Sequence, residues 1–149
     1  MRYLKDDFVL KMTGSGQIDR TVLMEQNFIL YFYPKDNTSG CTLEAQDFAD
    51  LYDEFKALGY EVYGISKDSM KSHERFKEKF NLPFNLISDE AKVLHQCFDV
   101  IKDKKLYGKL VTGTERSTFV FREGLLCITE FRGVKAKGHA RAVLDHLQK

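Results

Sequence analysis

A thiol is among the strongest nucleophiles that ordinary side chains offer near neutral pH, and this 149-residue sequence holds three: Cys41, Cys97 and Cys127. An odd count with no Cys-x-x-Cys pair matches neither a disulfide framework, nor a zinc site, nor a dithiol-exchange motif. The histidines at 73, 95, 139 and 146 pair with no cysteine or carboxylate at metal-ligand spacing. No metal and no cofactor are therefore expected. His73 fits an apolar helical face and reads as a packed residue. What remains is to find a cysteine whose surroundings stabilise its thiolate.

Cys41 has such surroundings. It follows the loop Lys35-Asp36-Asn37-Thr38-Ser39-Gly40, which is small and polar enough to leave the sulfur reachable, and Gly40 gives room for close backbone approach. The apolar periodicity Phe48, Leu51, Tyr52, Phe55, Leu58, extended backwards, puts Cys41 or Thr42 in the first turn of a helix ending near Gly59. Unpaired backbone N–H groups and the helix dipole favour an anion there. A buried, inert cysteine at a helix start is the second reading these surroundings leave open. Cys97 shares a helical face with Val93 and Leu94 and reads as core; Cys127 lies inside a terminal hairpin.

The elements that position Cys41 follow from patterning. Phe28 to Tyr33 is apolar without interruption, as in a central strand buried on both faces, and Pro34 ends it. Before it, Phe8 to Met12 and Gln17 to Leu23 flank a glycine-rich turn and predict a hairpin. After the first helix come a strand at Tyr60 to Ile65, a helix within Ser66 to Asn81 capped by Asp68 or Ser69, and a short strand at Leu86-Ile87. A third helix through Val93, Leu94 and Cys97 is capped by Ser88 or Asp89. Ile101 to Arg116, rich in lysine, reads as an exposed connection. A hairpin at Thr118 to Phe131 and an amphipathic helix from Gly138 to Gln148 complete the chain. Parallel crossovers followed by a hairpin and a packing helix predict an α/β, thioredoxin-like fold: one domain over 1–149, a central mixed β-sheet flanked by helices, and an N-terminal β-hairpin.

With 23 basic and 22 acidic residues, the net charge of +1 provides no field that would favour nucleic acid or anionic lipid. The longest apolar run is too short to cross a bilayer, and the charges from Arg2 to Asp7 stand where a signal peptide needs apolar residues. The expectation is a cytoplasmic protein with no nucleic-acid or membrane partner.

The stretch from Tyr33 to Ala45 resembles the active-site loop of peroxiredoxins, and closely that of the bacterioferritin-comigratory-protein (PrxQ) subfamily. Pro34, Thr38 and Cys41 meet its Pro-x3-Thr-x2-Cys signature. The likeness recurs in order at Leu86-Ile87-Ser88-Asp89, at Arg116-Ser117-Thr118-Phe119 and from Val134 to Ala140. The resemblance implies a thiol-dependent peroxidase in which the Cys41 thiolate attacks a hydroperoxide and becomes a sulfenic acid. It implies that the Thr38 hydroxyl shares the pocket, that Arg116 brings a permanent cation to sulfur and peroxide, and that Pro34 packs over the sulfur and limits water. Taken singly, these three read as a loop threonine, a surface arginine and a strand terminator. Glu44, in the first helical turn, reads as a complement to the dipole that also orients the loop or the arginine.

Many PrxQ proteins place a resolving cysteine five residues after the reactive one, where this chain has Gln46, or in the following helix, where Ser69 to Phe80 has none. Cys97 is the remaining candidate for resolution. A one-cysteine mechanism is the leading expectation, with a thioredoxin-type protein or a small thiol attacking the sulfenic acid. Subfamily members are often monomers, which is the expectation here, with a dimer through the active-site surface as the alternative. Ser39 replaces the usual proline, which widens the loop's conformational range. Disulfide exchange is disfavoured by the missing Cys-x-x-Cys; a redox switch built on Cys41 stays open.

Overall fold

The computed structural model describes residues 4–149; the first three residues of the charged opening lie outside the described residues. Strands β1 (Val9–Met12) and β2 (Gly16–Asp19) pair antiparallel around Gly14, whose φ of 80° suits glycine. The second strand stops earlier than its apolar pattern predicted. Asp19 accepts a hydrogen bond from the Val22 N–H and caps a short helix, α1 (Arg20–Met24).

Next comes β3 (Asn27–Phe32), whose side chains beyond Asn27 are all buried. The helix predicted after it is two: α2 (Ser39–Asp50) and α3 (Tyr52–Ala57), parted at Leu51, where ψ is 3°. Phe48 and Phe55 stay on the buried side, so the periodicity runs through the break without marking it. The chain continues through β4 (Tyr60–Ser66), α4 (Met70–Lys79) capped by the Ser69 hydroxyl, β5 (Asn85–Ser88) and α5 (Val93–Cys97). Asp89 accepts from the Val93 and His95 N–H groups at the start of α5.

The lysine-rich stretch is not a loop. It forms a hairpin of β6 (Ile101–Leu106) and β7 (Lys109–Thr114) turned through Tyr107 and Gly108, both at positive φ. Then β8 (Ser117–Arg122), β9 (Leu126–Phe131) and α6 (His139–Gln148) follow as expected.

Seven strands form one mixed sheet in the order β2-β1-β5-β4-β3-β8-β9. β3 pairs parallel with β4 and antiparallel with β8, which places it near the middle. Alternate residues of β3 serve two cores. Phe28, Leu30 and Phe32 pack with Leu94, Phe98 and Phe119; Ile29, Tyr31 and Tyr33 pack with Phe48, Phe76 and Val143. Full burial of each such side chain stabilises the fold by roughly 1.5–3 kcal/mol. Gly64 on β4 leaves space for Tyr31, since a Cβ there would lie 2.9 Å from its ring. Tyr31 in turn stacks on Phe48 with centroids 4.5 Å apart. This fixes α2, and with it Cys41, over the carboxyl end of β3. Among the described residues no helix is long and apolar enough to cross a membrane.

Candidate active site

Cys41 is the third residue of α2 and only 1% exposed. The backbone of Thr38 caps the helix, and the Thr42 N–H donates to the Thr38 carbonyl at 2.9 Å. Helical geometry leaves the N–H groups of Ser39, Gly40 and Cys41 without a carbonyl inside the helix, so partial positive charge collects beside the sulfur. The Thr38 hydroxyl donates to the Lys35 carbonyl at 3.0 Å. Its proton is thereby engaged, and its oxygen retains lone pairs that can accept.

Arg116 reaches the sulfur because of sheet register. Ser117 sits opposite Phe32 in the antiparallel pairing of β8 with β3, so the residue before Ser117 lies at the end of β3 from which the Cys41 loop departs. Nη2 of Arg116 donates to Cys41 Sγ at 3.5 Å, and Nη1 donates to Glu44 Oε1 at 2.5 Å. The planar fork spans both acceptors at once, which one ammonium could not do in the same geometry. Gly40 eases the approach, since a Cβ there would sit 3.3 Å from Nη2 and push it back by a few tenths of an ångström.

Glu44 lies one helical turn from Cys41 with no exposure, and its Oε2 has no hydrogen-bond partner. Burial pushes its carboxyl up to about 7, against the downward pull of Arg116. The sign of the linkage follows. A carboxyl held above its ordinary value of 4.5 binds its proton more tightly in the folded chain, so ionisation costs stability. That cost is absent at low pH and complete above about 7, and amounts to about 3 kcal/mol at 1.36 kcal/mol per unit. Glu44→Gln keeps an acceptor for Arg116 but cannot ionise. Urea unfolding at about pH 5 and about pH 8 is expected to show wild type losing about 3 kcal/mol relative to the variant. Parallel pH profiles would contradict this account of Glu44.

Pro34 is exposed and lines a groove of about 470 Å³ with Arg116, Lys102, Lys104, Gly133 and Val134. The sulfur lies in the core cluster with Tyr31, Tyr33, Ala45 and Phe48. His139 donates to or accepts from the Thr118 hydroxyl at 2.7 Å and packs edge-on against Phe48 and Phe131. Burial, helped by Arg116, lowers its pKa to about 4, so it is neutral at physiological pH.

Cys97 corrects the core reading. Leu94 and Phe98 turn inward from α5, which leaves Val93 and Cys97 on the exposed side. Partial burial, then the Asp6 and Asp89 carboxylates, push the Cys97 thiol up, away from the thiolate. Cys127 is half-buried on β9 and its Sγ faces the Thr129 carbonyl at 3.7 Å. Sequence reasoning passed over Asp36, which is buried within the Cys41 loop and contacts His73 at 2.7 Å. No spacing rule links residues so far apart.

The AhpC/TSA family profile matches residues 5–126. Peroxiredoxin Bcp of Xanthomonas campestris is 43% identical over 142 residues, covering 95% of this chain and 89% of that protein. Peroxiredoxin Bcp of Bacillus subtilis is 50% identical over 121 residues, covering 80% of this chain and 76% of that one. A solved structure of the Xanthomonas campestris bacterioferritin comigratory protein, studied for its alkyl peroxide reduction activity, superposes with a TM-score of 0.89 at 42% identity, covering 95% of this chain and 90% of that one. The likeness therefore extends over the sheet, the Cys41 loop and the strand that delivers Arg116, and this chain belongs to the AhpC/TSA family as a peroxiredoxin of its Bcp/PrxQ branch.

Proposed function

We propose that the chain reduces hydrogen peroxide and organic hydroperoxides through Cys41 and is recycled by an external thiol of thioredoxin type. The observation that carries this reading is the Arg116 fork, shared between Cys41 Sγ and a buried Glu44 at a helix start. A lone pair on the Cys41 thiolate attacks the terminal peroxide oxygen. The O–O bond breaks, sulfur is oxidised to the sulfenic acid, and the leaving alkoxide or hydroxide takes a proton to become alcohol or water. Arg116 and the N–H groups of the first turn stabilise the charge as it moves from sulfur to the leaving oxygen. Thr38, its own proton on Lys35, accepts from the peroxide hydroxyl and orients it. Pro34 forms one wall of the approach.

Recycling falls to an external thiol because Gln46 occupies the nearby helical position and the Cys97 thiol is held away from its thiolate. A chemistry that consumes thiol reductant belongs in a reducing compartment, and we place the protein in the cytoplasm, acting as a monomer of one domain. Intact-mass analysis after one equivalent of hydrogen peroxide tests the scheme. The expected product is a single oxygen added at Cys41, trapped by a sulfenic-acid reagent. Loss of two hydrogens through a Cys41–Cys97 disulfide would show internal resolution instead.

A further inference from the structure

Asp36 is the exception in the Cys41 loop. Pro34, Lys35, Asn37, Thr38 and Ser39 are exposed, whereas Asp36 is 6% exposed. Its carboxylate accepts from the Tyr33 hydroxyl at 2.6 Å and the Ser72 hydroxyl at 2.8 Å, and Oδ2 lies 2.7 Å from His73 Nδ1. Its backbone N–H donates to Asp68 Oδ2 at 2.8 Å. His73 is itself fully buried on α4, and its Nε2 lies 3.0 Å from the Ile87 carbonyl of β5. A carbonyl can only accept, so Nε2 carries a proton; a second proton must lie between Nδ1 and the Asp36 carboxylate. One ring thus joins the loop, α4 and β5 by buried hydrogen bonds.

A second observation shows why the loop needs an anchor. The next residue, Asn37, has φ of 62°, a left-handed turn disfavoured for residues with a side chain. It too is held from α4, by Lys79 Nζ at 3.2 Å. Asp36, Asp68 and His73 bring ligand-type atoms within 4.8 Å of one another, but the protein's own hydroxyl and amide donors already engage the carboxylates. The grouping is a clamp by its bonding.

We propose that Asp36 and His73 are positioning residues that lock the Cys41 loop onto α4 and hold the sulfur enclosed and facing Arg116. The proposal rests on the reading that Cys41 attacks peroxide. Neither residue is among the groups hydrogen-bonded to the sulfur; both act through the backbone from Asp36 to Cys41. Breaking the clamp lets the loop swing out. Attack on peroxide then slows because the geometry is lost, while a bulky thiol reagent reaches the sulfur faster. A chain that was merely less stable would not rank its variants by which ring nitrogen they replace.

Two substitutions separate the ring's bonds. The His73→Asn amide nitrogen falls where Nδ1 was and keeps a donor toward Asp36; the His73→Gln nitrogen falls where Nε2 was and keeps the donor to Ile87. In a Cys97→Ser/Cys127→Ser background, His73→Gln is expected to lower the rate of Cys41 oxidation by hydrogen peroxide about 10- to 100-fold and raise labelling by an aromatic disulfide several-fold. His73→Asn is expected to stay within about threefold of its parent in both measures. Ser72→Ala, which removes one hydroxyl from Asp36, gives a milder shift in the same directions and serves if the histidine variants do not fold. His95→Gln controls for loss of a buried histidine, since its partner Asp89 caps α5 and bonds to the Val93 and His95 N–H groups rather than to the Cys41 loop. Equal effects of His73→Asn and His73→Gln, the reverse ranking, or the same split in His95→Gln would overturn the proposal. A parent whose Cys41 reacts no faster than a simple thiol would instead overturn the peroxidase reading.

Discussion

Serine in place of Cys41 is expected to abolish peroxide consumption, a loss of roughly 10⁴–10⁶, the range found when an enzyme loses its nucleophile outright. Oxygen replaces sulfur with little change in shape, so the Arg116 fork and the helix start persist. A hydroxyl, however, is not ionised near neutral pH and cannot accept oxygen to form a sulfenic acid. Serine at Cys97 or Cys127 is expected to leave turnover with a small thiol within about twofold, because Cys97 is exposed and Cys127 lies half-buried on the edge strand β9, both apart from the Cys41 loop. Cys97 is turned outward with its thiol stabilised, and Cys127 faces a strand carbonyl. A coupled peroxide-consumption assay checks all three. Persistent activity in Cys41→Ser, or arrest after one turnover in Cys97→Ser, would reassign the chemistry.

The parts of this site that are local in sequence were legible, and those that depend on register were not. Cys41 and Thr38 fall on a loop and helix start that apolar periodicity locates. Arg116 lies 75 residues away, and only the resemblance drew it in; its neighbour Ser117 opposite Phe32 is what delivers it. Glu44 reads from the sequence as a first-turn complement to the dipole that also orients the loop or the arginine. The helix starts at Ser39, which puts Glu44 beyond the first turn, and position on a helix does not reveal which face is covered. Its burial comes from the packing of α2 against the sheet and α6. Cys97 was misplaced for a related reason. Val93 and Cys97 form one i, i+4 stripe, and Leu94 and Phe98 form another, rotated by one residue; tertiary packing selects the second. The hairpin of β6 and β7 escaped because its side chains are largely exposed, which removes the alternation that marks a half-buried strand. Tyr107-Gly108 at its turn was the remaining signal.

Arg116→Met is expected to lower the second-order rate with hydrogen peroxide by roughly 10²–10³, the usual consequence of removing a donor that stabilises transition-state charge. The methionine keeps much of the side chain's bulk and removes both hydrogen bonds, to Sγ and to Glu44. Iodoacetamide should alkylate Cys41 more slowly in the same variant, because the thiolate has lost its cation. Arg116→Lys restores charge but not the fork: an ammonium near one acceptor leaves the other short of a donor, so only part of the rate returns. Stability separates the two roles of the arginine. Losing Arg116 alone leaves a buried carboxylate unpaired, at a cost of about 3–5 kcal/mol when it is ionised. The Glu44→Gln/Arg116→Met double variant removes that charge as well, and is expected to recover most of the stability while staying as slow as Arg116→Met. Recovery of rate along with stability would mean that the arginine acts by supporting the fold. A rate that stays low in a restored fold assigns the effect to the bond on sulfur.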